Sequence, residues 1–423
     1  MNINDIVTSL RGCSCGREHR TDIRAVEIHS GITASAGELL GKHGFPKKIL
    51  FVADRNTIKA SAGITESLLT AGFALKEHLY GDLRVADMEQ VEELEGLCAD
   101  IEGILSVGTG SLNDICRLAA FRQNKEFAIF ATAPSMDGFA SNSSPITKNN
   151  FKVSYPARQP SVILADTKIL ADSPAELKSA GFGDMIGKYT ALADWRISHL
   201  LTGEHYCEAI AALSEKAVNN IASMAERITA RDEEAAAAVM ESLVLSGLCM
   251  GLENSVRPAS GAEHVLSHFW EVKKLQEGRI SDFHGKKVGV ATVLINKIYR
   301  EMTLLPAVEP ARENLDWNEI TDAYGEGLAD EMLKANRPSV TDGVTPAALQ
   351  AAWGDIRQIV DDTLPADAEL LRLMAAAGAP VTPEEIGVSA SLCAAGLKYS
   401  AFMRHRLTLM RLKPMLRINE CNS

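Results

Sequence analysis

Four short apolar runs punctuate residues 47–134, and a helical pattern separates each from the next. "KKILFVAD" (47–54) reads as a buried strand ending in an acid, "SAGITESLLTAGF" (61–73) as an amphipathic helix, and "KEHLYG" (76–81) as a second strand. A helix at "MEQVEELEGL" (88–97), a strand running into a glycine turn at "DIEGILSVGTGS" (100–111), a helix at "NDICRLAAFRQ" (113–123) and a strand at "EFAIFATAP" (126–134) continue the rhythm. This alternation leaves room for little but a parallel sheet with right-handed crossovers. "FKVSYPARQPSVILAD" (151–166) breaks the pattern and predicts an extended hairpin with a proline-containing turn. From Thr167 onward, alanine- and leucine-rich helical segments dominate: 183–200, 206–229, 231–252, 260–277, 285–302 and several more toward the end. The expected fold is α/β: a Rossmann-like parallel-sheet domain over 1–166, then an all-helical domain over 167–423. The cleft between the two is the expected site.

Composition narrows the partners. At 423 residues, 46% hydrophobic and 23% charged, the chain has enough material for two or three globular domains. Its net charge of −12 disfavours nucleic acid and anionic lipid as general partners, though a local basic patch can still hold phosphate. The eight cysteines (13, 15, 98, 116, 207, 249, 393 and 421) are scattered and suggest no disulfide framework. "MNINDIVTSLRG" lacks the basic start and apolar run of a signal peptide, and no uninterrupted apolar stretch of roughly 18 residues exists to span a bilayer. A cytoplasmic location is expected. "CSCGREH" (13–19) offers only three soft ligands, Cys13, Cys15 and His19, and reads as an ordinary loop. The basic tail "MRHRLTLMRLKPMLR" (403–417) reads as a helix with arginine heads solvated over apolar stems.

Several segments carry functional chemistry. "SVGTGSLND" (106–114) sets two glycines between strand and helix, where backbone N–H groups and a helix N-terminus favour a pyrophosphate. It is not the full G-x-G-x-x-G pattern, and a plain turn is the competing reading. Asp54, at a strand end, could accept from an adenosine ribose. "ATAPSMDGFASNSS" (131–144) would emerge on the same carboxyl edge of the sheet. "SAGFGDMIGKYTALADW" (179–195) places Asp184 in the first turn of a helix with Lys188 one turn on, which an ordinary i,i+4 ion pair would explain. "RPASGAEHVLSH" (257–268) puts His264 and His268 on one helix face, and "DFHGKKVGVAT" (282–292) puts His284 at a helix start. A carboxylate with imidazoles suits zinc, iron or nickel, and three such ligands leave coordination open for a substrate.

"GTGSLND", "TAPSMDGFAS", "GFGDMIGKYTALADW", "RPASGAEHVLSHFWE" and "HGKKVGVAT" stand in the order that resembles the sn-glycerol-1-phosphate dehydrogenases, kin of glycerol dehydrogenase, iron-containing alcohol dehydrogenases and dehydroquinate synthase. The "PSMDG" and "SGAEHxxSH" forms look closest to the bacterial branch. The resemblance implies Asp184, His264 and His284 as metal ligands, with His268 and Asp137 against substrate; Asp184, His268 and Asp137 form the catalytic set. It implies Gly108, Thr109, Gly110, Ser111 and Leu112 at the pyrophosphate, Thr132, Ser135 and Ser141 along the cofactor, and Asp54 at the ribose. Lys188 and Arg257 are candidates for the substrate phosphate from position alone. The implied cofactors are NAD, with NADP as alternative, and one divalent metal: zinc first, then nickel or iron. The implied reaction interconverts dihydroxyacetone phosphate and sn-glycerol 1-phosphate by hydride transfer, in a homodimer. The rivals are a polyol dehydrogenase indifferent to phosphate, a lyase of the dehydroquinate synthase kind and a non-catalytic nucleotide-binding protein.

Overall fold

In the computed structural model, which describes residues 1–148, 151–325 and 327–417, eight strands form two sheets. They are β1 (Ala25–His29), β2 (Lys48–Asp54), β3 (Ala74–Tyr80), β4 (Gly103–Gly108), β5 (Glu126–Ala131), β6 (Ser143–Lys148), β7 (Phe151–Pro156) and β8 (Val162–Asp166). Six of them make a parallel sheet in the order β1-β8-β5-β4-β2-β3. Strands covered on both faces need apolar residues at every position, and β4, β5 and β8 are buried almost throughout. Leu50, Val52, Ile104, Ile129 and Ile163 pack on one face, and Phe51, Leu105, Phe130 and Leu164 on the other. Burying side chains of this size stabilises by about 1.5–3 kcal/mol each. The edge strand β3 has only exposed and half-buried positions.

The region 151–166 is not a hairpin. β7 pairs antiparallel with β6, Ser143 opposite Pro156, and β8 joins the parallel sheet between β1 and β5. The sheet interior offers Val162–Asp166 two parallel neighbours and burial on both faces, which a two-stranded hairpin cannot supply.

Eight helices bear on the site: α1 (Arg55–Ala60), α2 (Ser111–Arg122), α3 (Ala175–Ile186), α4 (Lys188–Thr202), α5 (Glu208–Ala222), α6 (Glu233–Glu253), α7 (Ala262–Gln276) and α8 (His284–Thr303). The expectation that Asp184 opens a helix is overturned, because α3 begins at Ala175 behind Pro174 and Asp184 lies in its last turn. Gly181 and Gly183 are interior positions of close approach. A Cβ on Gly181 would fall 2.0 Å from the Pro134 carbonyl oxygen, and one on Gly183 would fall 2.5 Å from that of Gly285. Among the described residues α6 alone is long and apolar enough to cross a membrane, and it is mostly buried inside the protein.

The tail also departs from expectation. Its only α-helical turn is Leu409–Leu412, and Arg411 is fully buried against Glu313 and Ser339 rather than solvated. Leu407, Leu409, Leu412 and Met415 sink into the helical core, and a solvated helix would leave them in water. Cys421 lies outside the described residues.

Candidate active site

β2 has β3 on one side and β4 on the other, so the chain reverses its direction of winding there. A crevice opens above the carboxyl ends of strands at such a point. Asp54 ends β2 and Gly108 ends β4, and between the sheet and the helices lies a cleft of about 1040 Å³. Thr109, Gly110, Ser111, Leu112, Thr132, Ser135, Ser141, Asp137, His264, His268 and His284 all line it, as does Asp54. Gly110 caps α2 with φ +50, a backbone region that a side chain disfavours, and so turns the chain directly from strand into helix. Gly108 lies beneath this turn, outside the lining, packed against Leu112.

Asp54 already has structural work: its Oδ1 accepts from the N–H groups of Asn56 and Thr57 at 2.8 Å each, capping α1. Among the described residues its Oδ2 accepts no hydrogen bond, which leaves one carboxylate oxygen for a ligand in the cleft.

Asp184 lies where α3, α7 and α8 converge. Its Oδ1 is 3.3 Å from His264 Nε2 and 3.8 Å from His284 Nε2. Metal bonds of about 2.0–2.2 Å set neighbouring ligand atoms about 3–3.5 Å apart, so these three groups fit around one ion. Glu263 Oε1 accepts from His264 Nδ1 at 2.7 Å, which orients the ring so that Nε2 faces Asp184. Gly261 N–H (2.7 Å) and the Thr190 hydroxyl (2.6 Å) hold Glu263 in turn. Burial alone would raise the Asp184 carboxyl, but Lys188, His284 and His264 hold it well below the usual carboxylate range. Burial drives His284 down to about 3, which keeps its imidazole neutral and ready to ligate. His264 goes the other way, to about 8, because its bonds to Asp184 and Glu263 outweigh burial.

The loop over the site is fixed by a second set of contacts. The Asp137 N–H donates to Asp184 Oδ2 at 2.9 Å, and the Ser246 hydroxyl donates to Asp137 Oδ2 at 3.1 Å. Arg117 of α2, fully buried, donates to the carbonyls of Gly138, Phe139 and Ser143.

Two candidates for the substrate phosphate, Lys188 and Arg257, do not line the cleft. Lys188 is fully buried, 2.7 Å from Asp137 Oδ2, 2.9 Å from the Asp184 carbonyl and 3.3 Å from Asp184 Oδ1, and it does not line the cleft. It is the counter-ion of two carboxylates. Arg257 donates through Nη2 to Glu204 (2.8 Å) and to the carbonyls of Leu407 (3.0 Å) and Asp194 (3.3 Å), which ties three segments together away from the cleft. Arg84, Arg117, Lys152, Lys168, Lys287, Arg404 and Arg406 are the cations that line it, and two of them lie close to the histidines. Lys152 of β7 and Lys287 of α8 flank the Glu271 carboxylate at 2.9 and 3.3 Å, one helical turn from His268. The only signal for them was the doubled lysine of "HGKKVGVAT" and a lone lysine in "FKVSY".

The profile of the iron-containing alcohol dehydrogenase family matches residues 27–174. A glycerol-1-phosphate dehydrogenase [NAD(P)+] of Halalkalibacterium halodurans is 31% identical over 408 residues, covering 94% of each chain. The chain belongs to the glycerol-1-phosphate dehydrogenase family. The family's enzyme from Geobacillus stearothermophilus is 30% identical over 99% of this chain and 98% of its own length. In fold, the chain is similar to the crystal structure of a probable glycerol dehydrogenase from Sinorhizobium meliloti, with TM-score 0.54, 17% identity and coverage of 90% of this chain and 97% of that one.

Proposed function

We propose that this member of the glycerol-1-phosphate dehydrogenase family interconverts dihydroxyacetone phosphate and sn-glycerol 1-phosphate with NAD(H), using one divalent metal ion. The observation that carries the reading is a single cleft that joins the Gly110 turn, His264 and His284 with Asp184 buried behind them, and the Lys152/Lys287 pair. A non-catalytic nucleotide binder would need only the first of these.

Asp184, His264 and His284 would hold the ion, zinc by donor type with nickel or iron as alternatives. When bound, the metal supplies Lewis acidity at the substrate's C2 oxygen. The protein does the rest. The 108–112 turn and the α2 N-terminus receive the pyrophosphate, Thr132, Ser135 and Ser141 border the nicotinamide half, and Asp54 Oδ2 meets the adenosine ribose. Lys152 and Lys287 take the substrate phosphate, in place of Lys188 and Arg257. Burial and the neighbouring His284 hold His268 well below the ordinary histidine range, so it meets a substrate hydroxyl as a neutral imidazole. Asp137, fixed by Lys188 and Ser246, closes the substrate side of the loop and helps keep water out. The site thus falls between a nucleotide domain over 1–166 and a helical domain over 167–423. A dimer in the cytoplasm completes the reading, a setting that suits the free thiols of the described cysteines.

The test is metal-loaded protein with dihydroxyacetone phosphate and NADH or NADPH, with the product's chirality determined. NADH oxidation yielding the sn-1 ester supports the proposal. Glycerol turned over as readily as its phosphate ester would instead make the protein a polyol dehydrogenase, and no oxidation with any triose or polyol would make it a binding protein.

A further inference from the structure

The "CSCGREH" segment does not stand alone. Residues 13–19 lie between the first helical turn and β1, and the fold lays them against Cys207, the residue that caps the N-terminus of α5. Cys13 Sγ is 3.5 Å from Cys207 Sγ, Cys15 Sγ is 3.2 Å from His19 Nε2, and Cys207 Sγ is 3.6 Å from the same nitrogen. All four ligand atoms lie within 4.8 Å of one another. We propose that Cys13, Cys15, His19 and Cys207 bind a structural zinc ion, separate from the catalytic centre.

Geometry carries the proposal. Tetrahedral zinc, with bonds of about 2.3 Å to sulfur and about 2.0 Å to nitrogen, sets sulfur atoms about 3.8 Å apart and sulfur and nitrogen about 3.5 Å apart. The observed separations match those edges within a few tenths of an ångström. They are far too long for a disulfide, whose sulfurs are bonded at about 2.05 Å. The outer contacts fit as well. His19 Nδ1 is 2.9 Å from the Leu252 carbonyl, so that N–H donates there and Nε2 turns its lone pair to the thiols. The Arg17 backbone N–H points at Cys15 Sγ at 3.5 Å, a donor that a thiolate prefers to a thiol. His205 Nε2 reaches the Cys15 carbonyl at 3.3 Å while Glu253 Oε1 holds its Nδ1 at 2.6 Å. His19 and Cys207 are buried, and Cys13 and Cys15 are half-buried, so no coordination position is left open to a substrate. A closed set of three sulfurs and one nitrogen is that of a structural site. As zinc binds, the three thiols release their protons to solvent and no electrons move.

The ion would staple the segment ahead of β1 onto the starts and ends of helices in the other half of the chain: Cys207 from α5, and Leu252 and Glu253 from α6.

Protein purified from zinc-supplemented medium under reducing conditions should carry two metal ions per chain by elemental analysis. Cys15→Ser should lose one and retain the other, and His284→Ala the reverse. X-ray absorption at the zinc edge of His284→Ala protein should show three sulfurs and one nitrogen. Should Cys15→Ser fail to fold, titration of the wild type with a mercurial should release one zinc per chain as Cys13, Cys15 and Cys207, mapped by mass spectrometry, are modified. Zinc seen only with nitrogen and oxygen ligands, metal content unchanged in a folded Cys15→Ser, or a Cys13–Cys207 disulfide in the zinc-treated protein would each overturn the site. None of these results depends on turnover, so the proposed activity stands or falls separately.

Discussion

Gly285→Ala should disable the metal cluster without touching a ligand. Gly285 follows His284 at the start of α8, where that helix runs backbone against backbone along α3. A Cβ there would lie 1.9 Å from the Ala180 carbonyl oxygen, 2.6 Å from its carbon and 3.2 Å from Asp184 Cβ. Non-bonded carbon and oxygen need at least ~3 Å, so the helices must part by about 1 Å. The Ala180 carbonyl is main chain and cannot rotate away as a side chain would. Overpacking of this kind costs about 1–3 kcal/mol, which a chain of this size survives. The metal site does not share that tolerance. Asp184 Oδ1 and His284 Nε2 are already 3.8 Å apart, and metal–ligand distances tolerate only about ±0.2 Å. Zinc affinity should therefore fall at least tenfold, about 1.4 kcal/mol, and kcat/KM roughly a hundredfold, as about 1 Å of misplacement commonly costs. Chelator competition measures the first, steady-state reduction of dihydroxyacetone phosphate the second, and near-ultraviolet circular dichroism checks the fold. Gly96→Ala, where an added Cβ meets nothing within 4 Å, is the control. A folded Gly285→Ala protein with wild-type zinc affinity would show that the seam does not set the ligand spacing.

Three further outcomes follow from the cleft. His268→Ala should keep its metal and lose kcat/KM, whereas His284→Ala should lose both; metal loss in the first would make His268 a ligand through the neighbouring His268/Glu271/His284 cluster. Burial lowers Lys287 to about 8, so its charge is present below that pH and lost above it. The kcat/KM for dihydroxyacetone phosphate should then fall as pH rises through about 8, and Lys287→Met should lower the plateau and remove the step; an unchanged profile would take the lysine out of phosphate binding. Asp54→Asn keeps an α1 cap but removes the charge that would face a 2′-phosphate, so a preference for NAD over NADP of about tenfold should narrow, chiefly through better kcat/KM with NADP. A wild type that prefers NADPH, or a ratio unmoved by the substitution, refutes the ribose contact.

The sequence is most legible where burial is uniform. β2, β4 and β5 read as strands because a central parallel strand is apolar at nearly every position, and their carboxyl ends brought Asp54, the glycine turn and the Thr132–Ser141 loop to one edge. β1, "AVEIH", is an edge strand of five residues with a half-buried glutamate and carries little pattern. β6, "SSPITK", carries no strand pattern because its proline and serines favour turns, so the sequence alone leaves β7 without its true partner. The candidate metal cluster has no local signature. Asp184, His264 and His284 come from three helices, and only the ordered motifs drew them together. Glu263 sat unread beside His264, although it fixes that ring. Lys188 and Arg257 show the converse: sequence marks a cation but not whether its charge faces a ligand or another side chain of the protein.

The strand order also dictates a schedule. β1 is synthesised first, but its only sheet neighbour is β8, Ala25 beside Val162 through His29 beside Asp166. Until Asp166 leaves the ribosome, β2 to β5 could at most form a patch whose β5 edge lacks β8, with β1 unpaired. Closing so long a loop is slow, and an unpaired edge invites association with other chains. A gene fragment cut ahead of Val162 would therefore make an insoluble half-sheet, and one cut between Asp166 and Cys207 would complete the sheet while leaving the thiols of Cys13 and Cys15 without their third sulfur.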